Sequence, residues 1–502
     1  MSTTTVAPHR AVARASIVSF AGSAANAVLG IVLVIVLGRL LGDAGAGVVL
    51  QAIATFAIAL GVARCGMDSA ALWILPRLAE QTPAALRPTA IRLVSASGVA
   101  GTICAIILTT NPFGIGAVSD AVARIAWFLP VVAMLVTALA CTRALGGVVP
   151  YTLVWSVGLP LARPVAVAIA VAVGGGLMTV VFAWALPTVV GLVAAIAILT
   201  YQLSRRATAT HAPFVFRGSG LSARIGRYAA PRIVSESLSQ LLVWLDVLIV
   251  GSIAGPAAAG VYGAATRIAS AGSLVDQAIR VVVAPVFSRL LHRDDRAGIA
   301  RVFRAATTWL VLFSAPIYVL LAVFAPVALS IVGPSFVFGE VALATLAVGS
   351  VVTFLAGNVH SVLLMSGRSG LAAGNKAFAV ALDVALLFLL VPHWGITGAA
   401  VAWAVACAAD ALIATIEVRY VLGLRLPLAA GLRALAIATA TVGVAAVAAR
   451  LVFGATWLGL AVAILVGGGA LVIWARAAAS VLDLDAFVSH ARIAPRTTGA
   501  SS

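Results

Sequence analysis

Residues Ala15 to Arg64 read ASIVSFAGSAANAVLGIVLVIVLGRLLGDAGAGVVLQAIATFAIALGVAR. Two apolar runs, 16–40 and 44–65, are separated only by a glycine-punctuated joint. A helix needs about 20 apolar residues to cross the hydrocarbon core of a bilayer, and each run supplies that length. Working outward, the same ruler finds further runs at 90–110, 124–144, 150–173, 178–202, 232–252, 258–282, 305–332, 338–365, 370–392, 395–418, 429–450 and 455–476. The chain of 502 residues is 63% hydrophobic and 9% charged, with a mean hydropathy of +1.16. A soluble domain could not solvate that composition. The expectation is an all-α polytopic membrane protein of about 14 transmembrane helices.

Arg10 and Arg14 precede the first run, and SAANA (Ser23–Ala27) superficially resembles a cleavage site. The apolar run continues through VLGIVLVIVLG, however, which is too long for the apolar core of a signal peptide. It reads as a first span that is retained.

Arginine is sorted among the loops. The loop after the second span carries Arg77, Arg87 and Arg92; the loop after the sixth carries Arg205, Arg206, Arg217, Arg224 and Arg227. Arg289, Arg293, Arg296, Arg301 and Arg304 follow the eighth, Arg368 the tenth, Arg419 and Arg425 the twelfth, and Arg476 the fourteenth. The intervening gaps hold only Arg39, Arg124 and Arg450; those at 174–176, 255–260 and 392–395, for example, hold none. Cationic loops resist translocation, so this alternation predicts cytoplasmic N and C termini. It also accounts for the net charge of +17, which in a soluble protein would point to nucleic acid. No basic module with interleaved aromatics exists to support that partner.

Gly38, Gly42 and Gly47 in GRLLGDAGAGVV recur as Gly251, Gly255 and Gly260 in GSIAGPAAAGVY, offset by 213 residues, with a weaker echo between FAWAL (Phe182–Leu186) and VAWAV (Val401–Val405). The offset equals six spans, an even number, so both copies run parallel. The expected organisation is therefore a six-helix lobe over 1–202, a cytoplasmic linker at 203–231, a second six-helix lobe over 232–425, two additional helices within 426–480, and a cytoplasmic tail at 481–502. Parallel halves of this kind are a transporter architecture, with substrate held between them.

The segment GRLLGDAGAGVVLQAIATFAIALG (Gly38–Gly61) resembles the first-to-second span junction of Wzx-like polysaccharide-transport proteins. These form a branch of the multidrug/oligosaccharidyl-lipid/polysaccharide flippase superfamily. VWLDVLIVGSIAGPAAAGVYGAATRI (Val243–Ile268) is similar to their seventh-to-eighth junction, and GITGAAVAWAV (Gly395–Val405) to their twelfth span. The resemblance covers spans 1 to 12 and implies a flippase. Such a protein moves polyprenyl-diphosphate-linked oligosaccharide from the inner to the outer leaflet of the cell membrane, for cell-surface polysaccharide synthesis, by alternating access. Polysaccharide polymerases and glycosyltransferases are the implied partners, beside membrane lipids. The alternative is a cation-coupled small-molecule antiporter of the multidrug type. Multidrug exporters of the superfamily usually carry a carboxylate in the first span, and Ser16–Leu41 contains none. Peptidoglycan-precursor flippases typically bear arginines in that span, where this chain has Asn26.

An ionisable residue at bilayer depth is costly and defaults to a functional candidate. Thr266, Ser270, Ser273, Gln277 and Arg280 recur at helical spacing on the eighth span, bordered by Arg267, about 10 Å below its external end at 1.5 Å per residue. Arg267 is the leading phosphate contact, against the alternative of a packing arginine. Arg280 and Asp276 are one turn apart and suit a helical ion pair. Arg232 and Glu236 suit another at the start of the seventh span, with Asp246 deeper. Asp246 matches the family's aspartate in WLDVLIVG, which implies either a cavity-lining or a packing role. Arg163 sits mid-span beside Pro164, too costly to face lipid. Ser19, Ser23 and Asn26 share a face of the first span. Lys376 and Asp383 share a face of the eleventh, and with Asp410 of the twelfth they would form a buried charge cluster that either couples transport to an ion or holds the helices together. Asn358 and His360 read as packing residues. The cavity candidates are thus Arg267, Arg163, Asp246, Asn26, Ser270, Gln277 and Arg280, and the coupling candidates Lys376, Asp383 and Asp410.

No cofactor or metal is expected: Cys65, Cys104, Cys141 and Cys407 lie in or beside apolar runs without metal-site spacing. An enzyme acting on lipid-linked saccharides needs a large external loop, for which this chain has no room, and no G-x-x-x-x-G-K-[ST] loop is present for ATP.

Overall fold

The computed structural model describes residues 7–110, 116–206, 220–293, 295–366, 368–423 and 427–477. Residues 207–219 of the expected linker and the whole of the tail at 481–502 lie outside these residues. The described residues are all-helical, and eleven helices are long and apolar enough to cross a membrane. In chain order the helices are α1 (Ala7–Ala63), α2 (Met67–Gln81), α3 (Leu86–Thr109), α4 (Ala117–Ala126), α5 (Phe128–Gly146), α6 (Val149–Ala172) and α7 (Leu177–Arg206). They continue with α8 (Leu221–Ala254), α9 (Pro256–Ser270), α10 (Ser273–His292), α11 (Arg296–Val323), α12 (Ala325–Ser330) and α13 (Pro334–Leu355). The remainder are α14 (Val359–Met365), α15 (Ser369–Leu422), α16 (Leu428–Phe453) and α17 (Trp457–Ala477).

Two of these helices are each too long for one crossing, and glycine breaks both. In α1 the break is Gly42, with φ 68° and ψ −174°. In α15 it is Gly395, with φ 55° and ψ −136°. Both conformations lie where a Cβ is disfavoured, so these residues interrupt the helix at the joints read from the sequence. After the first break, the Asp43 carboxylate accepts from the Ala44 amide at 2.9 Å.

Two departures from the sequence reading stand out. The loop after the second span contains α2, whose buried residues Ala70, Ala71, Ile74, Leu75 and Leu78 mark one helical face. The eighth span is interrupted at Ala271–Gly272, between α9 and α10.

The chain divides into two compact units. One comprises Met1–Leu274, Leu329–Ala342 and Val380–Ala402; the other comprises Val275–Ala328, Leu343–Ala379 and Trp403–Ser502. In the first, Ile74, Leu75, Leu93, Leu135, Leu139, Leu159 and Leu199 bring α2, α3, α5, α6 and α7 into one core. In the second, Phe287, Phe303, Val362 and Val418 join α10, α11, α14 and the end of α15. There α11 also carries Leu312 and Ala315 against Ala434 and Ala438 of α16. Lipid is as apolar as leucine, so close packing of these Ala- and Gly-rich surfaces, rather than water exclusion, holds such helices together.

Within the first unit, the two copies of the glycine repeat touch. A Cβ at Gly47 would lie 1.7 Å from the Pro256 carbonyl oxygen, and one at Gly260 would lie 2.2 Å from that of Asp43. Asp43 and Pro256 are themselves related by the 213-residue offset, as are Gly42 and Gly255, which both have positive φ. The contact between α1 and α9 is thus reciprocal: each copy presents its glycine to the other copy's backbone.

Candidate functional site

The seventh and eighth spans form a hairpin whose turn is Gly255, at φ 89°. Across it, α8 supplies Trp244 and Asp246, and α9 supplies Tyr262 and Arg267. The Tyr262 hydroxyl donates to Asp246 Oδ2 at 2.9 Å, and the Val247 amide donates to Oδ1 at 2.9 Å. This carboxylate is buried and held by two donors, as a buried anion requires. The Arg267 guanidinium lies 4.1 Å above the Trp244 ring. It is half-buried and makes no ion pair among the described residues.

Arg163 of α6 is held in the same way. Its guanidinium stacks 4.4 Å from the Trp184 ring of α7, and Trp184 meets Phe56 of α1 edge-on at 5.7 Å. The Arg163 Nε is buried without a hydrogen-bond acceptor, and the residue has no ion pair among the described residues. A cation on an indole face gains about 0.5–2 kcal/mol while keeping its N–H edge available. Both arginines thus lie over a tryptophan and outside ion-pair distance of any described carboxylate, with Asp246 the charged neighbour of Arg267.

The hydroxyls around Arg267 serve the backbone. Thr266 donates to the Gly263 carbonyl at 3.0 Å, Ser270 to that of Arg267 at 2.7 Å and Ser273 to that of Ser270 at 2.6 Å. Ser270 is exposed beside the break and Asn26 is exposed on α1. In the second unit, Gln277 and Arg280 are exposed on α10, and Arg280 pairs with Asp276 one turn earlier.

The charge cluster expected of Lys376, Asp383 and Asp410 is assembled differently. Lys376 Nζ lies 3.4 Å from Asp410 Oδ2, and His360 Nε2 reaches the same oxygen at 3.3 Å. Asp383 is buried in the first unit, where its Oδ1 has no hydrogen-bond partner. Arg232 and Glu236 also separate: Glu236 accepts from Arg64 at 3.1 Å, and Arg232 stacks 5.6 Å from Tyr228.

Residues 12–291, more than half of the chain, match the family described as polysaccharide biosynthesis protein. The chain belongs to this family. The chain is 27% identical over 194 residues to the probable low-salt glycan biosynthesis flippase Agl15 of Haloferax volcanii, an alignment spanning 37% of the chain and 40% of that relative. It thus spans about two fifths of the curated relative it matches. Among solved structures, it resembles the lipid II flippase MurJ in an inward closed conformation, with a TM-score of 0.69 and 12% identity over 93% of this chain and 99% of that one. It also resembles an inward-facing multidrug resistance transporter of the MATE family, with a TM-score of 0.63 and 13% identity over 79% and 94%. At these identities the likeness establishes the fold of a multi-pass membrane protein, and these relatives are flippases and transporters rather than enzymes.

Two parts of the site were missed in the sequence, although one left a signal there. The run RPVAVAI (Arg163–Ile169) aligns with KAFAVAL (Lys376–Leu382) at the same offset of 213 residues. Arg163 and Lys376 are therefore equivalent cations of the repeat, the first stacked on tryptophan and the second paired with aspartate. His360 had no comparable signal, because its carboxylate lies 50 residues away on another span.

Proposed function

We propose that this protein is a flippase that carries polyprenyl-diphosphate-linked oligosaccharide from the inner to the outer leaflet of the cell membrane. The observation that supports this reading most directly is the pair Arg163 and Arg267. Each is a guanidinium at bilayer depth that lies over an indole and makes no ion pair among the described residues, Arg267 having only the more distant Asp246 carboxylate nearby. Burying such a cation is expensive unless an anion arrives to meet it. A diphosphate is a suitable anion, since planar guanidinium forks bind phosphate oxygens in pairs. No bond is made or broken in the translocation, so the chain needs only to bind the headgroup, screen it from lipid and release it.

In this reading the chain makes fourteen crossings with both termini cytoplasmic, arranged as two parallel six-helix halves followed by two further helices. Asn26, Asp246, Ser270, Gln277 and Arg280 line the translocation path, and Lys376, Asp383 and Asp410 are the residues through which an ion gradient would drive it. Polymerases and glycosyltransferases that make or consume the lipid-linked saccharide are the natural partners. The reciprocal Gly47–Gly260 contact supports alternating access, because a seam between two repeats is where such transporters part.

A cation-coupled small-molecule antiporter is the second reading, favoured by Asp246 and Asp383, two carboxylates buried in one unit. Deleting the gene tests both readings. Accumulation of lipid-linked oligosaccharide in the inner leaflet supports the flippase. Unchanged lipid-linked oligosaccharide together with drug hypersensitivity would replace it with the antiporter.

A further inference from the structure

On the helices α2 and α8 of the first unit, five side chains form a continuous stack that neither arginine site uses. Trp73 and Tyr228 lie ring on ring, with centroids 4.6 Å apart and planes inclined by 9°. The Arg77 guanidinium covers Trp73 at 4.8 Å, Arg224 approaches it at 5.9 Å, and Arg232 covers Tyr228 at 5.6 Å. Spacing explains the assembly: 73 and 77 are one turn apart on α2, and 224, 228 and 232 follow one another at single-turn intervals on α8. The two helices are fixed against a shared core, into which α2 sends Ile74, Leu75 and Leu78 and against which Leu221, Ile225 and Tyr228 of α8 pack.

The charges in this stack are uncompensated. Arg77, Arg224 and Arg232 are all exposed and make no ion pair among the described residues. The neighbouring carboxylates Asp68 and Glu236 are both taken by Arg64, at 3.2 and 3.1 Å. Glu80, exposed at the end of α2, makes no ion pair among the described residues either. Ordinary surface arginines are mobile, and ordering them costs side-chain entropy. Here three of them lie within cation–π reach of the two rings, which favours their ordering. Trp and Tyr are moreover the residues that settle at a membrane–water interface.

We propose that this stack is a docking site for the phosphate oxyanions of a membrane-anchored diphosphate, where the headgroup is gathered before it enters the helix bundle. Three guanidiniums match the charge of a diphosphate better than that of a phospholipid phosphodiester, which carries one. The inference rests on the flippase reading and on the cytoplasmic orientation of α2. It assigns that substrate a first contact away from Arg163 and Arg267.

Binding to the purified full-length protein in phosphatidylcholine nanodiscs tests the proposal without requiring transport. Undecaprenyl diphosphate, phosphatidylglycerol and inorganic pyrophosphate serve as separate probes, read by native mass spectrometry. In a protein already carrying Arg163→Gln and Arg267→Gln, which removes the site within the bundle, the further triple change R77Q/R224Q/R232Q is expected to weaken binding of undecaprenyl diphosphate about 100-fold, on the scale of three interfacial arginine contacts. In the same background W73L/Y228L keeps every charge of the stack and is expected to lose about tenfold, because the guanidiniums are no longer held. Undiminished binding in the triple variant would overturn the site, and undiminished binding in W73L/Y228L would overturn the role given to the rings. Equal affinity for phosphatidylglycerol would overturn the diphosphate assignment, and equal affinity for inorganic pyrophosphate would overturn the requirement for a membrane anchor. Failure of the flippase reading appears separately, as a deletion strain whose lipid-linked oligosaccharide is unchanged.

Discussion

Substituting Gly47 by alanine adds one methyl group at the point where the two repeats meet. Its carbon would fall 1.7 Å from the Pro256 carbonyl oxygen, 2.6 Å from the carbonyl carbon and 2.9 Å from the Gly260 nitrogen. Ordinary contacts at such atoms begin above about 3 Å, and all three obstacles are backbone, so no rotamer change relieves them. α1 and α9 must then separate by more than an ångström, loosening the fully buried Tyr262 and its neighbours. Overpacking of this kind typically costs 1–3 kcal/mol, and a backbone obstacle places Gly47→Ala at about 3 kcal/mol or more. Gly30→Ala is the control. It lies on the same helix, and its added Cβ meets nothing within 4 Å. There the change is expected to be neutral or to stabilise by about 0.5–1 kcal/mol. Unfolding both variants in detergent, with the seam in the state described above, should separate them by several kcal/mol. If Gly47→Ala unfolds at the same midpoint as Gly30→Ala, the reciprocal contact is not a structural seam and the reasoning fails.

Arg267→Gln should lower transport at least tenfold while lowering stability by only about 1 kcal/mol, the scale of a lost cation–π contact; a variant that transports normally would remove Arg267 from the substrate path. Arg163→Gln is expected to behave alike, and complementation of a deletion strain reads both. For the pair Lys376 and Asp410, a double-mutant cycle with Lys376→Met and Asp410→Asn should return a coupling of roughly 0.5–3 kcal/mol in unfolding experiments, whereas strictly additive effects would show the 3.4 Å approach to be inconsequential. Arg39→Ala removes donors that reach the carbonyls of Ile331 at 2.8 Å and Ser330 at 3.0 Å. It should destabilise the first unit by about 1.5–3 kcal/mol, and an unshifted unfolding midpoint would count against that contact.

The membrane fold was legible because apolar length and glycine joints are local signals. Gly42 ends a run where the helix breaks, and the arginine bias needs no tertiary information. The exceptions to that bias were opaque for a tertiary reason. Arg39 binds the carbonyls at the end of α12, and Arg450 binds the Val323 carbonyl at the end of α11, so both satisfy helix C-termini far away in sequence. α2 was overlooked because Pro76, Arg77 and Glu80 give its sequence a loop-like composition, although its apolar residues at 70, 71, 74, 75 and 78 already follow a helical period. The break at Ala271–Gly272 was hidden by the opposite circumstance: the polar spacing continues across it as though the helix did. For Arg163, the decisive neighbour is an indole on the next span, which spacing along one helix could not reveal.

The reciprocal contact at Gly47 and Gly260 also bears on what each half could do alone. Because the motif packs against its own repeat, the first half, expressed as a separate chain, carries a surface already shaped to receive a second copy of itself. Two such fragments related by a true two-fold axis would place Gly47 against the carbonyl of Asp43 in the partner fragment, much as Gly47 now meets Pro256. A chain built by fusing two copies of an ancestral subunit would retain this property. The expected outcome is that residues 1–206 form a dimer in detergent, read by light scattering, and that Gly47→Leu keeps them monomeric. A fragment that is monomeric without the substitution would show that the two surfaces have diverged too far to replace one another.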